Sequence, residues 1–490
     1  MPGPVQAVWG GPAAVPPAAG QAARVAHPAA RGRVRHLLAG AALLLAGLLP
    51  AAAPAAPATG AAAGKAAPDK AAGKPVGKAN PAEPDLVLPA GALSESARDV
   101  LARTRPSVVQ IKGFFGANSA QAFHGTGFAV GPGGLLLTNY HVVAELVAYP
   151  EKYRLEFRTP EGKTGKIAVL AIDVLHDLAL VRAEAFDATP LNLARSIPAK
   201  GTRAYSIGFP LDVGLTITEG VSNGKVEDSF EARIHYSGAI NGGMSGGPAL
   251  NTAGEVIGIN VSGYRDEQSV SFLVPAEHGR ALLEHVPTEP LKPAEAKKEV
   301  GRQLRIHGAD LLASFPGAFT TQTAAGYTLP GKLSGFVDCN ASGDTTADQP
   351  VQTERIFCGA KAGLYVQENL RSGDLRFQHF VLTTAKLDAW RFAHHLQNIS
   401  GPAGGGGNRE HVGPFACKGS TVKLHGFDAG LVVCTRGYRK FEGLYDINAR
   451  LVSLNEPKRG FASRLAMTGV DFTAGMAFVR RYVEAMQWQP

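Results

Sequence analysis

The sequence predicts an all-β domain followed by an α+β domain in one multidomain chain, and three observations predict it. Between residues 108 and 274, short runs rich in Val, Ile and Phe alternate with glycine turns, and helix-period segments are scarce. From residue 294 to Pro490 the pattern is mixed, with long helix-period stretches among the strand-like ones. All four cysteines, Cys339, Cys358, Cys417 and Cys434, fall in that second region.

Taken in order, residues 1–58 read as an N-terminal extension with a secretory signal. Arg31, Arg33 and Arg35 precede a 13-residue apolar run, Leu37 to Leu49. Small residues follow, with Ala53-Pro54-Ala55 and Ala56-Pro57-Ala58 as cleavage sites. A spanning helix needs about 20 apolar residues, so no stable membrane span is expected after cleavage. Residues 59–92 are nearly all Ala, Pro, Gly and Lys. Such a segment buries too little apolar surface to offset chain entropy and reads as a tether.

The all-β domain is expected over 93–286. Ser94 caps a helix over 95–104. Strands are expected over Val108–Gly113, Gly125–Val130, Leu135–Thr138, Arg154–Phe157, Lys166–Ala171, Leu178–Arg182, Ala204–Ile207, Leu215–Val221, Gly224–Val226, Val256–Val261 and Val270–Val274. Helix Ala276–Val286 closes the domain. A linker over 287–296 leads to the α+β domain, 297–490, entered by a helix over Ala294–Leu312. Two later helices are marked by Ala389, Phe392, Leu396 and Ile399, and by Phe472, Met476, Val479, Val483 and Met486. Trp390 and Trp488 are expected in core or groove positions. Gly363-Leu364-Tyr365 recurs as Gly443-Leu444-Tyr445, and the cysteine spacing repeats with it, so 297–490 reads as a duplicated unit.

Length and charge bound the function. A chain of 490 residues allows two or three domains. The net charge is +8, yet residues 1–80 carry eight basic residues against Asp69 alone. The basicity therefore belongs to the leader and tether, and no basic stripe reads as a nucleic-acid footprint. In an exported chain an even cysteine count reads as disulfides. Separations of 19 and 17 residues favour Cys339–Cys358 and Cys417–Cys434. No C-x-x-C spacing supports zinc, and neither a metal nor an organic cofactor is expected.

The chemistry lies in three segments. Asn241-Gly242-Gly243-Met244-Ser245-Gly246-Gly247-Pro248 puts a serine on a glycine-rich turn. Upstream are Thr138-Asn139-Tyr140-His141-Val142-Val143 and Asp177-Leu178-Ala179-Leu180-Val181. Ser245 is the candidate nucleophile, His141 the base that takes its proton, and Asp177 the carboxylate that orients the imidazole. The backbone N–H groups of Gly243 and Ser245 are the candidate oxyanion donors.

These segments, together with Gly125-Thr126-Gly127-Phe128 and Ile207-Gly208-Phe209-Pro210, resemble the trypsin-like serine proteases, most closely the HtrA-type branch. The resemblance covers about 95–286. It implies a double six-stranded, chymotrypsin-like β-barrel with the site between the barrels. It also selects Asp177 over Asp173 as the acid. It further implies substrate-binding roles for Ala239 and Ile240 at the primary specificity pocket, and for Val261, Ser262 and Gly263 on a strand that pairs with substrate. Alanine in that pocket implies a small or medium apolar side chain. Met244 stands where the family usually has Asn or Asp, the loop Gly116–Phe123 is short, and no PDZ-like domain follows residue 286.

The expected protein is thus an exported serine endopeptidase, periplasmic or secreted, acting on protein or peptide substrates. The alternative is an inactive or capped protease-fold binding protein whose C-terminal domain recognises an envelope or protein partner. His176 is expected to face solvent.

Overall fold

In a computed structural model the described residues are 94–489, except 264–269, 400 and 402–405. The expected leader and tether lie outside them. Helix α1 (Glu95–Thr104) begins where Ser94 Oγ accepts the Ala97 N–H at 3.2 Å. That bond satisfies one of the donors a helix start leaves unpaired.

The next strands are β1 (Val108–Phe115), β2 (Gln121–Gly131), β3 (Leu135–Thr138), β4 (Tyr153–Arg158), β5 (Thr164–Asp173) and β6 (Leu178–Ala183), with α2 (Tyr140–Ala148) between β3 and β4. They close a barrel in the order β1-β2-β3-β6-β5-β4. A second closed barrel follows in the order β10-β11-β12-β9-β8-β7. Its strands are β7 (Thr202–Gly208), β8 (Thr216–Lys225), β9 (Ile234–Tyr236), β10 (Pro248–Leu250), β11 (Val256–Gly263) and β12 (Ser271–Pro275), and α3 (Ala276–Leu283) ends it. This is the double barrel the sequence led us to expect. Closure leaves neither sheet an open edge.

In the barrels, the two strands expected over Leu215–Val221 and Gly224–Val226 are one continuous strand, β8, and the sequence reading missed β9, β10 and α2. Strands β9 and β10 are three residues each, too short for alternation to register. Helix α2 is apolar around most of its circumference, with Tyr140, Val142, Val143, Ala144 and Glu145 all buried, so no polar stripe announces a 3.6 period.

The C-terminal region begins with α4 (Pro293–Ala313). After it come β13 (Thr321–Ala324), β14 (Tyr327–Pro330), β15 (Val337–Asp344), β16 (Gln352–Ala360), β17 (Leu364–Gln367), β18 (Leu370–Ser372), β19 (Leu375–Thr383) and α5 (Ala389–Ile399). The chain ends with β20 (Ala416–Leu424), β21 (Phe427–Gly437), β22 (Tyr445–Ser453), β23 (Arg459–Val470), α6 (Phe472–Glu484) and β24 (Gln487–Trp488). Seven of these strands form one antiparallel sheet, β15-β16-β19-β23-β22-β21-β20. Successive residues of β19 point to opposite faces. His379 stacks on Tyr482 of α6, whereas Phe380 packs with Phe392 and Leu396 of α5, so the two helices cover opposite faces.

Cys339 lies directly opposite Cys358, and Cys417 opposite Cys434, each pair on neighbouring strands. Their sulfurs are 2.06 and 2.08 Å apart. In both passes two strands precede Gly-Leu-Tyr and strands and a helix follow it, with β17, β18 and β19 before α5 in the first pass and β22 and β23 before α6 in the second. In the second pass Gly443-Leu444-Tyr445 leads into β22 within the sheet. In the first, Gly363-Leu364-Tyr365 leads into β17, which pairs with β18 alone as a separate two-stranded ribbon.

That ribbon and α4 pack on the first barrel. One apolar cluster joins Tyr140, Val142, Val143 and Ile172 to Val300 and Leu304 of α4 and to Leu364, Val366 and Leu370 of the ribbon. Gln303 of α4 accepts the Val174 N–H at 2.6 Å and donates to the Ile172 carbonyl at 2.9 Å. Trp488 is buried as expected, but Trp390 is not a core residue. It is 76 % exposed, and among the described residues its ring stacks on His394 of its own helix. Phe392 and Leu396, on the face turned to the sheet, occupy the space expected for it.

Replacing Cys339 and Cys358 together by serine is expected to cost about 3 kcal/mol, because a crosslink closing a loop of this length removes that much chain freedom from the unfolded state. Urea unfolding of the pair variant measures it. An unchanged midpoint would mean that strand pairing alone holds this edge.

Candidate active site

Asn139 stands at the start of α2 in an extended conformation, but its side chain does not cap the helix. Its Nδ2 instead donates to the Asp177 carbonyl at 2.8 Å. The cap is supplied from elsewhere: Asp177 Oδ1 accepts the His141 backbone N–H at 2.9 Å. Asp177 Oδ2 takes the ring Nδ1 of the same histidine at 2.7 Å. One carboxylate thus satisfies a helix N-terminal donor and orients the imidazole, in the place where the helix dipole favours negative charge. The backbone of Asp177 has φ 59°, a left-handed geometry that aspartate tolerates better than most residues.

Burial works to lower the His141 pKa, but the charge and hydrogen bond of Asp177 outweigh it. The net shift is upward from 6.5, with Arg371 opposing it. Asp173, the other acid of that turn, bonds His176 instead, with Oδ2 to Nδ1 at 2.7 Å. His176 does not face solvent as expected. Its side chain is 25 % exposed and its ring stacks on His278 at 3.7 Å.

Ser245 comes from the second barrel, and the turn around it tolerates no side chains at two positions. Gly243 has φ 96° and Gly246 φ 84°. A Cβ on Gly243 would lie 2.3 Å from the Phe209 carbonyl, and one on Gly246 would lie 2.2 Å from the Thr126 carbonyl. The turn is tied down from two sides. Thr126 Oγ1 donates to the Gly243 carbonyl at 2.7 Å and accepts the Phe209 N–H at 3.1 Å. The Thr126 N–H bonds the Ser245 carbonyl at 2.8 Å. On the other side, Asn260 of β11 accepts from the Gly246 N–H at 2.9 Å through its carbonyl, and its Nδ2 donates to the Ile207 carbonyl at 3.1 Å. Neither the Gly243 nor the Ser245 N–H has an acceptor among the described residues.

His141, Asp177 and Ser245 line one cleft of about 650 Å³ between the barrels. The Ser245 hydroxyl donates to the Val261 carbonyl at 2.8 Å, so turning to the imidazole requires rotation about χ1. Val261 sits at a bulge of β11 and lines the cleft, and Ser262 and Gly263 pair with Phe272 and Ser271 of β12. Ala239 and Ile240 are not in the cleft lining. Ala239 is exposed and its carbonyl accepts from Thr218 at 3.0 Å. Met244 points into the protein and is fully buried, which fits an apolar residue there.

Two contributors escaped the sequence reading. Thr126 belonged to a matched motif, but nothing in the sequence shows that its hydroxyl reaches a turn 117 residues away. The other is the C-terminal region, whose Lys361, Gly363, Leu364, Tyr365 and Arg371 line the same cleft.

Thr126→Val keeps the shape of the side chain and removes both hydroxyl bonds. The stranded Gly243 carbonyl and Phe209 N–H are expected to cost about 2 kcal/mol of stability. The acylation rate should fall at least tenfold as the turn loosens. Thermal unfolding and fluorophosphonate labelling rates check the two effects, and wild-type values in both would show that the backbone contacts suffice.

A model of the trypsin-like peptidase domain matches residues 125–259. The mitochondrial serine protease HTRA2 of Bos taurus is 32 % identical over 199 residues, covering 38 % of this chain and 42 % of its own. Serine protease HTRA1 of Xenopus tropicalis is 34 % identical with the same coverage. A probable periplasmic DegP-like serine endoprotease of Chlamydia pneumoniae is 32 % identical over 177 residues, covering 34 % and 35 %. The chain spans less than half the length of these relatives. A serine endoprotease structure from Yersinia pestis aligns at 24 % identity and TM-score 0.34, covering 39 % of this chain and 67 % of that one. Residues 125–259 thus match the trypsin-like peptidase domain, and the part of the chain that forms the double barrel is similar to HtrA-type serine proteases.

Proposed function

We propose that this protein is an exported serine endopeptidase that cleaves peptide bonds through an acyl-enzyme on Ser245. The observation that carries the reading is the convergence, across one cleft, of Ser245 with an imidazole held at 2.7 Å by a carboxylate. Ser245 Oγ attacks the scissile carbonyl while His141 Nε2 takes its proton. The oxyanion meets the N–H groups of Gly243 and Ser245, and the intermediate collapses as His141 passes the proton to the leaving amine. Water then repeats the sequence on the ester and restores the serine. Export is supported by the signal-like N-terminal sequence, and a periplasmic site is supported by the DegP-like relative's name.

The cleft remains open between the C-terminal ribbon and Ser245, which favours an enzyme over a capped binding protein. Fluorophosphonate is expected to label the full chain and not Ser245→Ala, and the substitution should lower kcat on the order of 10⁴-fold or more. A folded wild type that never labels overturns the reading.

His141 must be neutral to act, and its pKa is raised, so activity is lost as pH falls through a value above 6.5. The ionic contribution of the pair to stability runs the other way. It is present below 6.5 and lost as pH rises through the folded value. The kcat/KM profile is expected to show its acid limb above 6.5, and Asp177→Asn should move that limb down while cutting the rate about 10⁴-fold. A limb that stays in place would show that Asp177 does not set the imidazole.

A further inference from the structure

We propose that Tyr365 and Arg371, on the β17–β18 ribbon, form a substrate subsite of the catalytic cleft that takes an Asp or Glu side chain close to the scissile bond. The proposal rests on the endopeptidase reading and names a feature of the substrate that reading leaves open.

The ribbon is fixed to the element that carries His141. The buried Tyr140 hydroxyl donates to the Val366 carbonyl at 2.8 Å. The Glu368 N–H donates to Glu145 Oε1 at 2.6 Å, and Gln367 Nε2 donates to the Tyr149 hydroxyl at 2.9 Å. Leu364, Val366 and Leu370 sink into the cluster shared with Val142 and Val143. Three hydrogen bonds and an apolar face along a nine-residue helix make a rigid mount.

Alternation then decides what the other face presents. With Leu364 and Val366 turned inward, Tyr365 faces the cleft, and its ring lies 6.0 Å from the His141 ring, edge-on at 76°. Arg371 is the cross-strand partner of Tyr365 and therefore shares that face. Both residues line the cleft with His141, Asp177 and Ser245.

The charges around the cleft favour a carboxylate at this point. Asp177 is committed to His141. Lys361 is paired with Asp338 at the cleft mouth, and Arg233 stands in the field of Asp177, Glu231 and Asp173. Glu145, behind Tyr365, already accepts the Glu368 N–H. Glu227 and Asp228 belong to the second barrel's side of the lining. Arg371 is exposed and has no ion-pair partner among the described residues. A guanidinium fork beside a phenol, open to a cleft, matches the flat two-oxygen geometry of a carboxylate.

The test uses the full chain and sets of fluorogenic peptides, amidated at the C-terminus, that differ only in Glu, Gln or Lys at each position within three residues of the cleavage point. Wild type is expected to prefer Glu over Gln in kcat/KM by about tenfold at one position, the scale of one charge-assisted hydrogen bond. Arg371→Ala should bring that ratio near one, Arg371→Lys should restore part of it, and Arg371→Glu should turn the preference toward Lys. Inversion is the outcome that a merely structural residue would not produce. An unchanged Glu/Gln ratio in Arg371→Ala overturns the subsite. A wild type that fluorophosphonate does not label overturns the endopeptidase reading instead. In that case anisotropy of the same Glu and Gln peptides on Ser245→Ala reads the subsite directly, and equal affinities overturn it.

Discussion

The two hydrogen bonds that His141 makes to the Asp177 carboxylate are the constraint on which the rest of the site depends. One arrives from the backbone at the first turn of α2, the other from the imidazole ring, so the helix and its imidazole share a single anchor. A ring held from Nδ1 presents Nε2 to the cleft, and the donor set fixes which nitrogen is free. Asp177 can play this part because its own residue is twisted into a left-handed turn and its carbonyl is clamped by Asn139. The seat of His141 is thus decided by a turn at the end of β5, which Gln303 of α4 braces through Ile172 and Val174.

That bracing changes how the C-terminal region is to be understood. A domain joined only by a linker would leave the cleft between the barrels as it is in isolation. Here α4 and the β17–β18 ribbon continue the core of the first barrel, and the buried phenol of Tyr140 finds its acceptor on the ribbon. The wall of the cleft beside His141 is made of residues more than 200 positions downstream.

The seven-stranded sheet shows how one sequence pattern serves two ends. Gly-Leu-Tyr precedes a strand in both halves, but β22 stays between β21 and β23 while β17 leaves with β18. Where β22 remains, its backbone groups pair within the sheet. Where β17 departs, β16 pairs directly with β19, so the sheet loses no ladder and the freed ribbon is available to the first barrel. The disulfides lie on the outer strand pairs, away from this exchange.

Taken alone, the sequence determined the elements whose signals are local. Ser94 as a cap, the barrel strands other than β9 and β10, the helices at α1, α3, α4, α5 and α6 and the glycine-rich serine turn are each written in a local stretch of sequence. The sequence also put forward His141, Asp177 and Ser245 as candidates, because the motifs around them are short and ordered. It was silent on α2, whose burial on most sides erases the period, and it misplaced Trp390 and His176, whose environments are set by distant chain. Only the tertiary structure decided that Asp173 holds His176 while Asp177 holds His141, that Thr126 ties the serine turn, and that Tyr365 and Arg371 stand at the cleft. Each of these is a contact between segments far apart in the chain. Such contacts depend on how barrels close and cores merge, and no local periodicity records them.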